Sequence, residues 1–288
     1  MNWIVFAIGS AFFAGITSIL AKIGVRNVNS DVMTGLRTIV ILIFSWLMVW
    51  LVGSFKGIDH ISSKSLLFLC LSGIATGGSW LCYFKALQIG DINKVVPIDK
   101  SSLVLTMLLS FIFLGEPAKL NMWIGMITIG AGTYLMIQKK EGAEQKKTGR
   151  WLLYAVLSAV FASLTTILAK IGVENVESNL ATGIRTIVVL FMAWGIVFMQ
   201  GKQKEIFQID KRSFLYIGLS GLATGLSWLC YYRALQMGPA SIVAPIDKLS
   251  ILVSVFLAYI IFKEKLTPRS LAGLFLIVIG TLALLIRF

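Results

Sequence analysis

The sequence predicts an all-α polytopic membrane protein, with ten transmembrane helices arranged as two inverted five-helix repeats. Three observations predict it. Hydrophobic residues make up 57% of the 288-residue chain and charged residues only 14%, whereas a soluble domain carries about 25% charge. The chain is also written twice: shifted by 148, the first half reads as the second without a gap from Phe13 to Glu116, and loosely onward to Gln138. TSILAKIGVRNV at Thr17–Val28 returns as TTILAKIGVENV at Thr165–Val176, and VVPIDK at Val95–Lys100 as VAPIDK at Val243–Lys248. Each copy, finally, holds five long apolar runs. Five is odd, so the copies must enter the membrane from opposite sides, about a pseudo-twofold axis in its plane.

Runs of about 20 apolar residues, rising about 1.5 Å each, cross a hydrocarbon layer about 30 Å thick. The first repeat, residues 1–138, places them at Trp3–Val25, Val32–Val52, Ser65–Ile89, Val95–Gly115 and Leu120–Gln138. The first is not expected to be a removable signal: it lacks a basic leading region, is too long, and recurs internally at Trp151. The third carries Gly73-x-x-x-Gly77, a spacing that lets helices pack closely. The fourth opens on Pro97, which reads either as an ordinary first-turn proline or as a break that frees a carbonyl beside Asp99. Residues 139–150 (KKEGAEQKKTGR) are polar and aperiodic, and read as a solvated tether. The second repeat, residues 151–288, places its runs at Trp151–Val173, Leu180–Gln200, Ser213–Met237, Ile242–Phe262 and Leu271–Ile286, with Gly221-x-x-x-Gly225 and Pro245 in equivalent places.

The net charge of +13 would suit nucleic acid in a soluble protein, but here it reports basic loops at a cytoplasmic face. Four basic residues (Lys56, Lys64, Lys119 and Arg287) fall on the side of the termini. Fourteen fall on the linker side, concentrated in the linker and around Lys202 and Lys263. The linker is therefore expected in the cytoplasm and both termini outside, although the first copy alone leans weakly the other way. Cys70, Cys82 and Cys230 have no metal-ligand spacing and imply no disulfide framework. No metal site or cofactor is expected.

Ionisable side chains inside a span cost about 2.5–3.5 kcal/mol on insertion scales, so each is a functional candidate. They come in matched sets: Lys22/Lys170, Arg37/Arg185, Lys85/Arg233, Asp99/Asp247 and Lys100/Lys248. The first copy's set is expected toward the linker face and the second's toward the termini face, bracketing a central cavity. The lysines near helix ends also suit anchoring to headgroups. The aspartates are too short to snorkel, and must find a cation, a donor or water. A buried structural ion pair is their bland reading. Trp80/Trp228, with Thr76/Thr224 one turn earlier and Tyr83/Tyr231 at i+3, would make an aromatic wall bearing hydroxyls, or ordinary helix packing. Glu116 and Glu264, closing the fourth helices, are expected to be solvated surface charges.

At PIDK, GxATGxSWLCY, RALQxGPAS and FLGE/FKE the chain resembles the EamA-type transporters of the drug/metabolite transporter superfamily. Each half resembles one EamA domain, and is similar to short five-helix members with a VPxDKxS signature. The resemblance implies ten helices around a central cavity, alternating access, and a multi-pass protein of a bacterial or archaeal cell membrane. Its expected partners are a small-molecule solute and the lipid bilayer, with no nucleic acid; a monomer suffices and a homodimer is compatible. Basic residues outnumber aspartates by 6 to 2 among Lys22, Arg37, Lys100, Asp99 and their equivalents, which favours an anionic metabolite. A proton-coupled exporter of cationic amines or drugs and a lipid-linked substrate flippase are the competing transport readings. An enzyme is not expected: the one histidine, His60, is in a loop, and no H-E-x-x-H or nucleophile–base spacing occurs. Nothing matches G-x-x-x-x-G-K-[ST], so ATP is not the direct energy source.

Overall fold

The computed structural model describes residues 2–24, 28–89, 92–136, 150–263 and 267–286. The linker up to residue 149 lies outside them, as do Val25, Arg26, Gln138, Glu264, Lys265 and Arg287 and the side chains of Lys94 and Pro97. Among the described residues there are twelve α-helices and no strands. The first repeat forms α1 (Asn2–Gly24), α2 (Ser30–Val52), α3 (Ser63–Ile89), α4 (Ile92–Lys100), α5 (Ser102–Phe113) and α6 (Leu120–Met136). The second forms α7 (Arg150–Gly172), α8 (Ser178–Met199), α9 (Lys211–Met237), α10 (Ala240–Lys248), α11 (Ser250–Phe262) and α12 (Pro268–Leu285). Ten spans are thus drawn by twelve helices, because the fourth of each repeat is broken in two. Among the described residues eight stretches are long and apolar enough to cross a membrane, counting α10–α11 (Ala240–Phe262) as one. The other two are α4–α5 and the 17-residue α6.

Short polar caps set the helix ends where the chain leaves the apolar layer. Asn29 accepts from the Asp31 N–H to start α2, and Glu177 accepts from the Asn179 and Leu180 N–H groups to start α8. Gly53 ends α2 in the left-handed conformation, φ 75°, open to a side chain only at a steric cost.

The halves interlock. The first helix of each repeat packs along the third helix of the other, α1 on α9 and α7 on α3. The equivalent helices α2 and α8 meet each other, as do α6 and α12. Both self-pairs are antiparallel: a Cβ on Gly35 would touch Trp194 while one on Gly183 would touch Trp46, two contacts related by the 148 offset, and along α6 Gly125 and Gly132 meet Gly280 and Gly273 of α12 in reverse order. Equivalent helices that pair antiparallel must be related by a twofold axis perpendicular to them. That axis lies in the membrane plane, which makes the repeats inverted.

The closest approach is at α6–α12, where backbones touch. A Cβ on Gly132 would lie 2.6 Å from the Gly273 carbonyl oxygen, and one on Gly273 2.6 Å from that of Gly132. Backbone atoms cannot swing aside, so Gly132→Ala is expected to lower stability by about 1–3 kcal/mol. Gly195, where nothing lies within 4 Å, is the control: Gly195→Ala should leave thermal unfolding in detergent unchanged or slightly raised. The Gly73 and Gly221 positions behave likewise, seating Val188 and Val40, so the G-x-x-x-G spacings serve packing.

Candidate functional site

The broken fourth spans carry the PIDK elements. Each was expected as one helix from Val95 or Ile242; each instead begins earlier, at Ile92 or Ala240, and breaks just after the lysine, at Ser101 or Leu249. Pro245 lies inside α10, so it is no first-turn cap; lacking an N–H, it cannot bond back to the preceding turn. The chain tightens at the break: the Ser101 N–H donates to Ile98 O at 3.1 Å and the Leu249 N–H to Ile246 O at 2.9 Å. The earlier start carries the aspartates and lysines about 12 Å into the span, at 1.5 Å per residue. This corrects the expectation of two separate layers for these residues: Asp99, Lys100, Asp247 and Lys248 come to the middle. Lys248 is close enough for its charge to act on Lys100. Lys100 leaves 54% of its side chain uncovered, and Lys248 is exposed too. A charge at this depth is costly against lipid, which makes both lysines candidates to line a solute path.

Each aspartate is held by a serine from the opposite repeat. Ser10 Oγ on α1 donates to Asp247 Oδ1 at 2.5 Å and lies 3.2 Å from Ser227 Oγ on α9. Its equivalent, Ser158 Oγ on α7, donates to Asp99 Oδ1 at 2.7 Å and lies 3.4 Å from Ser79 Oγ on α3. All four serines are buried. Each chain of three joins three helices and both repeats. The sequence reading missed these serines, although they obey the 148 offset, because a lone serine in an apolar run is ordinary. Of the ion pairs expected for the aspartates, the described residues show one, Asp99 with its neighbour Lys100 at 3.9 Å, while Asp247 lies against Ser10.

Toward the termini face the second set is tightly engaged. Lys170 Nζ donates to the carbonyls of Leu235 and, at 2.8 Å, Gly238. Gln236 Nε2 donates to Val173 O and Val176 O at 3.1 and 2.7 Å, while Arg233 Nη1 holds the other end of the amide at 2.8 Å. The ends of α7 and α9 are thereby tied. Glu116, expected as a solvated charge, instead caps α10: its Oε1 and Oε2 accept from the Ala240 and Ser241 N–H groups at 2.6 and 2.9 Å. Arg185, only 2% exposed, donates from Nε to Ser72 Oγ at 3.0 Å and from Nη2 to Thr76 Oγ1. Its guanidinium carbon sits 5.1 Å from the ring centres of both Trp228 and Tyr232. Tyr231 Oη lies 3.1 Å from Thr166 Oγ1.

Toward the linker face only part of the first set's surroundings lies among the described residues, and there Arg37 is arranged differently. Lys22 is exposed, with its ammonium 4.7 Å from the Phe262 ring centre. Lys85 donates to Gln88 Oε1 at 2.8 Å on an exposed surface. Arg37 Nε and Ser220 Oγ, equivalent to the bonded pair Arg185 Nε and Ser72 Oγ, are both buried without a partner among the described residues. Thr224 turns to Ser220 O and to Thr17 Oγ1, at 2.7 and 3.3 Å. Trp80 and Tyr83 are half-buried.

The model of the EamA-like transporter family matches residues 1–138 and again 149–286. The chain belongs to the EamA-like transporter family. It is accordingly a membrane transporter of the drug/metabolite transporter superfamily. An uncharacterized transporter of a Sinorhizobium species, encoded in the cobO 3′ region, is 43% identical over 135 residues, 47% of this chain and 96% of that protein. An uncharacterized protein of Methanocaldococcus jannaschii is 31% identical over 46% of this chain and 94% of its own length. Both relatives are therefore about one EamA repeat long. An uncharacterized transporter of Archaeoglobus fulgidus is 24% identical over 72% of this chain and 70% of its own. A solved crystal structure superposes with a TM-score of 0.76 over 98% of this chain and 96% of that one, at 14% identity. At that identity the likeness speaks for the fold alone. The transmembrane helices here are thus those of an integral, multi-pass EamA protein.

Proposed function

We propose that the protein is a secondary transporter that moves a small polar or amphiphilic metabolite by alternating access, and that the metabolite carries an anionic group. One observation carries this reading: equivalent residues of two nearly identical repeats are differently engaged. Lys170, Gln236 and Glu116 tie the termini face together, and Arg185 on that side is bonded to Ser72 and Thr76, while at the equivalent place toward the linker face Arg37 Nε and Ser220 Oγ have no hydrogen-bond partner among the described residues. With inverted repeats, exchanging the two arrangements would close the linker face and open the other. The excess of basic over acidic groups along the candidate solute path supports an anionic solute. The hydroxyl chains on Asp99 and Asp247 suit these carboxylates as carriers of the coupling proton. Both repeats lie in one chain, so a monomer in the lipid bilayer of a prokaryotic cell membrane suffices. Loop charge would put the closed face outside.

The test uses the equivalent positions Ser18 and Thr166 in a background without Cys70, Cys82 and Cys230. Ser18→Cys should react with an impermeant maleimide from the linker side, and Thr166→Cys should be protected from both sides. Adding transported solute should expose the second. Equal labelling of both positions in every condition would remove alternating access.

A further inference from the structure

The two arginines that the repeat makes equivalent are chemically unequal. The backbones around them match: a Cβ on Gly73 would lie 3.3 Å from Arg185 O, and one on Gly221 3.2 Å from Arg37 O. Helix packing therefore does not separate them. Arg185 is enclosed by Ser72 and Thr76, which bond two of its nitrogens, and by Trp228 and Tyr232, whose ring centres lie 5.1 Å from its guanidinium carbon; its Nη1 alone is left without a hydrogen-bond partner among the described residues. At the corresponding place the first repeat has Phe84 in place of Tyr232. There, among the described residues, Arg37 Nε and Ser220 Oγ find no hydrogen-bond partner, while Thr224 makes the same bonds to Ser220 O and Thr17 that Thr76 makes to Ser72 O and Thr165.

Carboxylates that could neutralise Arg37 are engaged elsewhere among the described residues. Asp31, on the same helix, lies 3.6 Å from Lys202 Nζ; Asp99 and Asp247 are held by serines. A buried guanidinium without a counter-charge is costly, and its planar fork matches a carboxylate or phosphate.

We propose that Arg37, with the Ser220 hydroxyl, is the anchor for the solute's carboxylate or phosphate group, and that Arg185 is a positioning residue tying α8 to α3 and α9. The guanidinium supplies paired N–H donors and the hydroxyl a third. The repeats then divide the labour: one arginine binds, the other braces. This deepens the transporter reading and rests on it. Binding is read at equilibrium, however, so its failure would leave the Ser18 and Thr166 labelling result standing.

The experiment is thermal unfolding of the purified full chain in detergent, titrated with succinate, benzoate and inorganic phosphate against chloride at matched ionic strength. At least one oxyanion should stabilise the wild type. Arg37→Gln should fold and weaken that Kd by about tenfold or more, the loss of one charge-assisted bond. Arg37→Lys should recover part of it. Arg185→Gln should melt lower and, where folded, keep the anion response; Arg185→Lys covers the case in which it does not fold. No stabilisation of wild type by any of the three, an undiminished response in Arg37→Gln, or a response lost in Arg185→Lys would overturn the assignment. Phosphatidylglycerol added to the micelles is the last arm. Stabilisation by the lipid alone would give Arg37 to a lipid headgroup instead of a soluble solute.

Discussion

Asp247→Asn is expected to abolish solute-driven transport in proteoliposomes while leaving the protein folded. Asparagine has the size of aspartate, and its amide oxygen can still accept from Ser10 Oγ, which lies at 2.5 Å from Asp247. What disappears is the charge and the capacity to take a proton. Were Asp247 only balancing a buried cation, its removal would leave that cation unpaired at about 3–5 kcal/mol, and folding would fail. The contacts argue otherwise, since among the described residues its hydrogen-bond partner is a neutral hydroxyl. A folded, inactive variant, or one whose transport no longer varies with pH, is therefore the expected outcome. Asp99→Asn should be milder. Its carboxylate accepts a longer bond from Ser158, 2.7 Å, and Lys100 stands 3.9 Å away; the next residue, Ser101, donates to Ile98 O at 2.6 Å where Leu249 offers no hydroxyl. Normal transport in both variants would take the PIDK elements out of the mechanism.

The fold was legible in the sequence because the membrane leaves few choices: apolar runs must be helices, and an odd count inverts a duplicated unit. The break after PIDK was less legible. A proline near an apolar boundary looks alike whether it starts a helix or sits inside one, and the earlier starts at Ile92 and Ala240 lie among polar residues that a hydropathy reading gives to a loop. The charged candidates were found because charge is rare in a span, and all fourteen polar and aromatic positions singled out are matched by the repeat in kind; the serines were not found, for the opposite reason. Asymmetry was the least legible of all. Two copies that agree at Arg37/Arg185, Thr76/Thr224 and Trp80/Trp228 cannot reveal from sequence that one cluster is enclosed and the other is not, because that difference is conformational. The differences around the PIDK elements, at Asp91/Pro239, Asn93/Ser241, Lys94/Ile242 and Ser101/Leu249, hinted at inequality there and not at the arginines.

Glu116→Ala is expected to open the termini face. α10 begins after Pro239, which provides no side-chain cap, so its first amides would be orphaned without a partner from elsewhere. Glu116, at the end of α5 in the other repeat, meets both: Ala240 and Ser241 donate to it at 2.6 and 2.9 Å. An anion at a helix N-terminus is worth up to about 2 kcal/mol, and hydrogen bonds to a charged group about 1.5–3 kcal/mol each. A net loss of about 3 kcal/mol corresponds to roughly a hundredfold shift between closed and open faces. Thr166→Cys, protected in the parent, should then react with impermeant maleimide from the termini side in the absence of solute. Glu116→Gln, keeping one acceptor oxygen but no charge, should fall between. Protection of Thr166→Cys that survives Glu116→Ala would mean that Lys170 and Gln236 close this face by themselves, since their bonds run to carbonyls of α9 and of the turn after α7 and do not pass through Glu116.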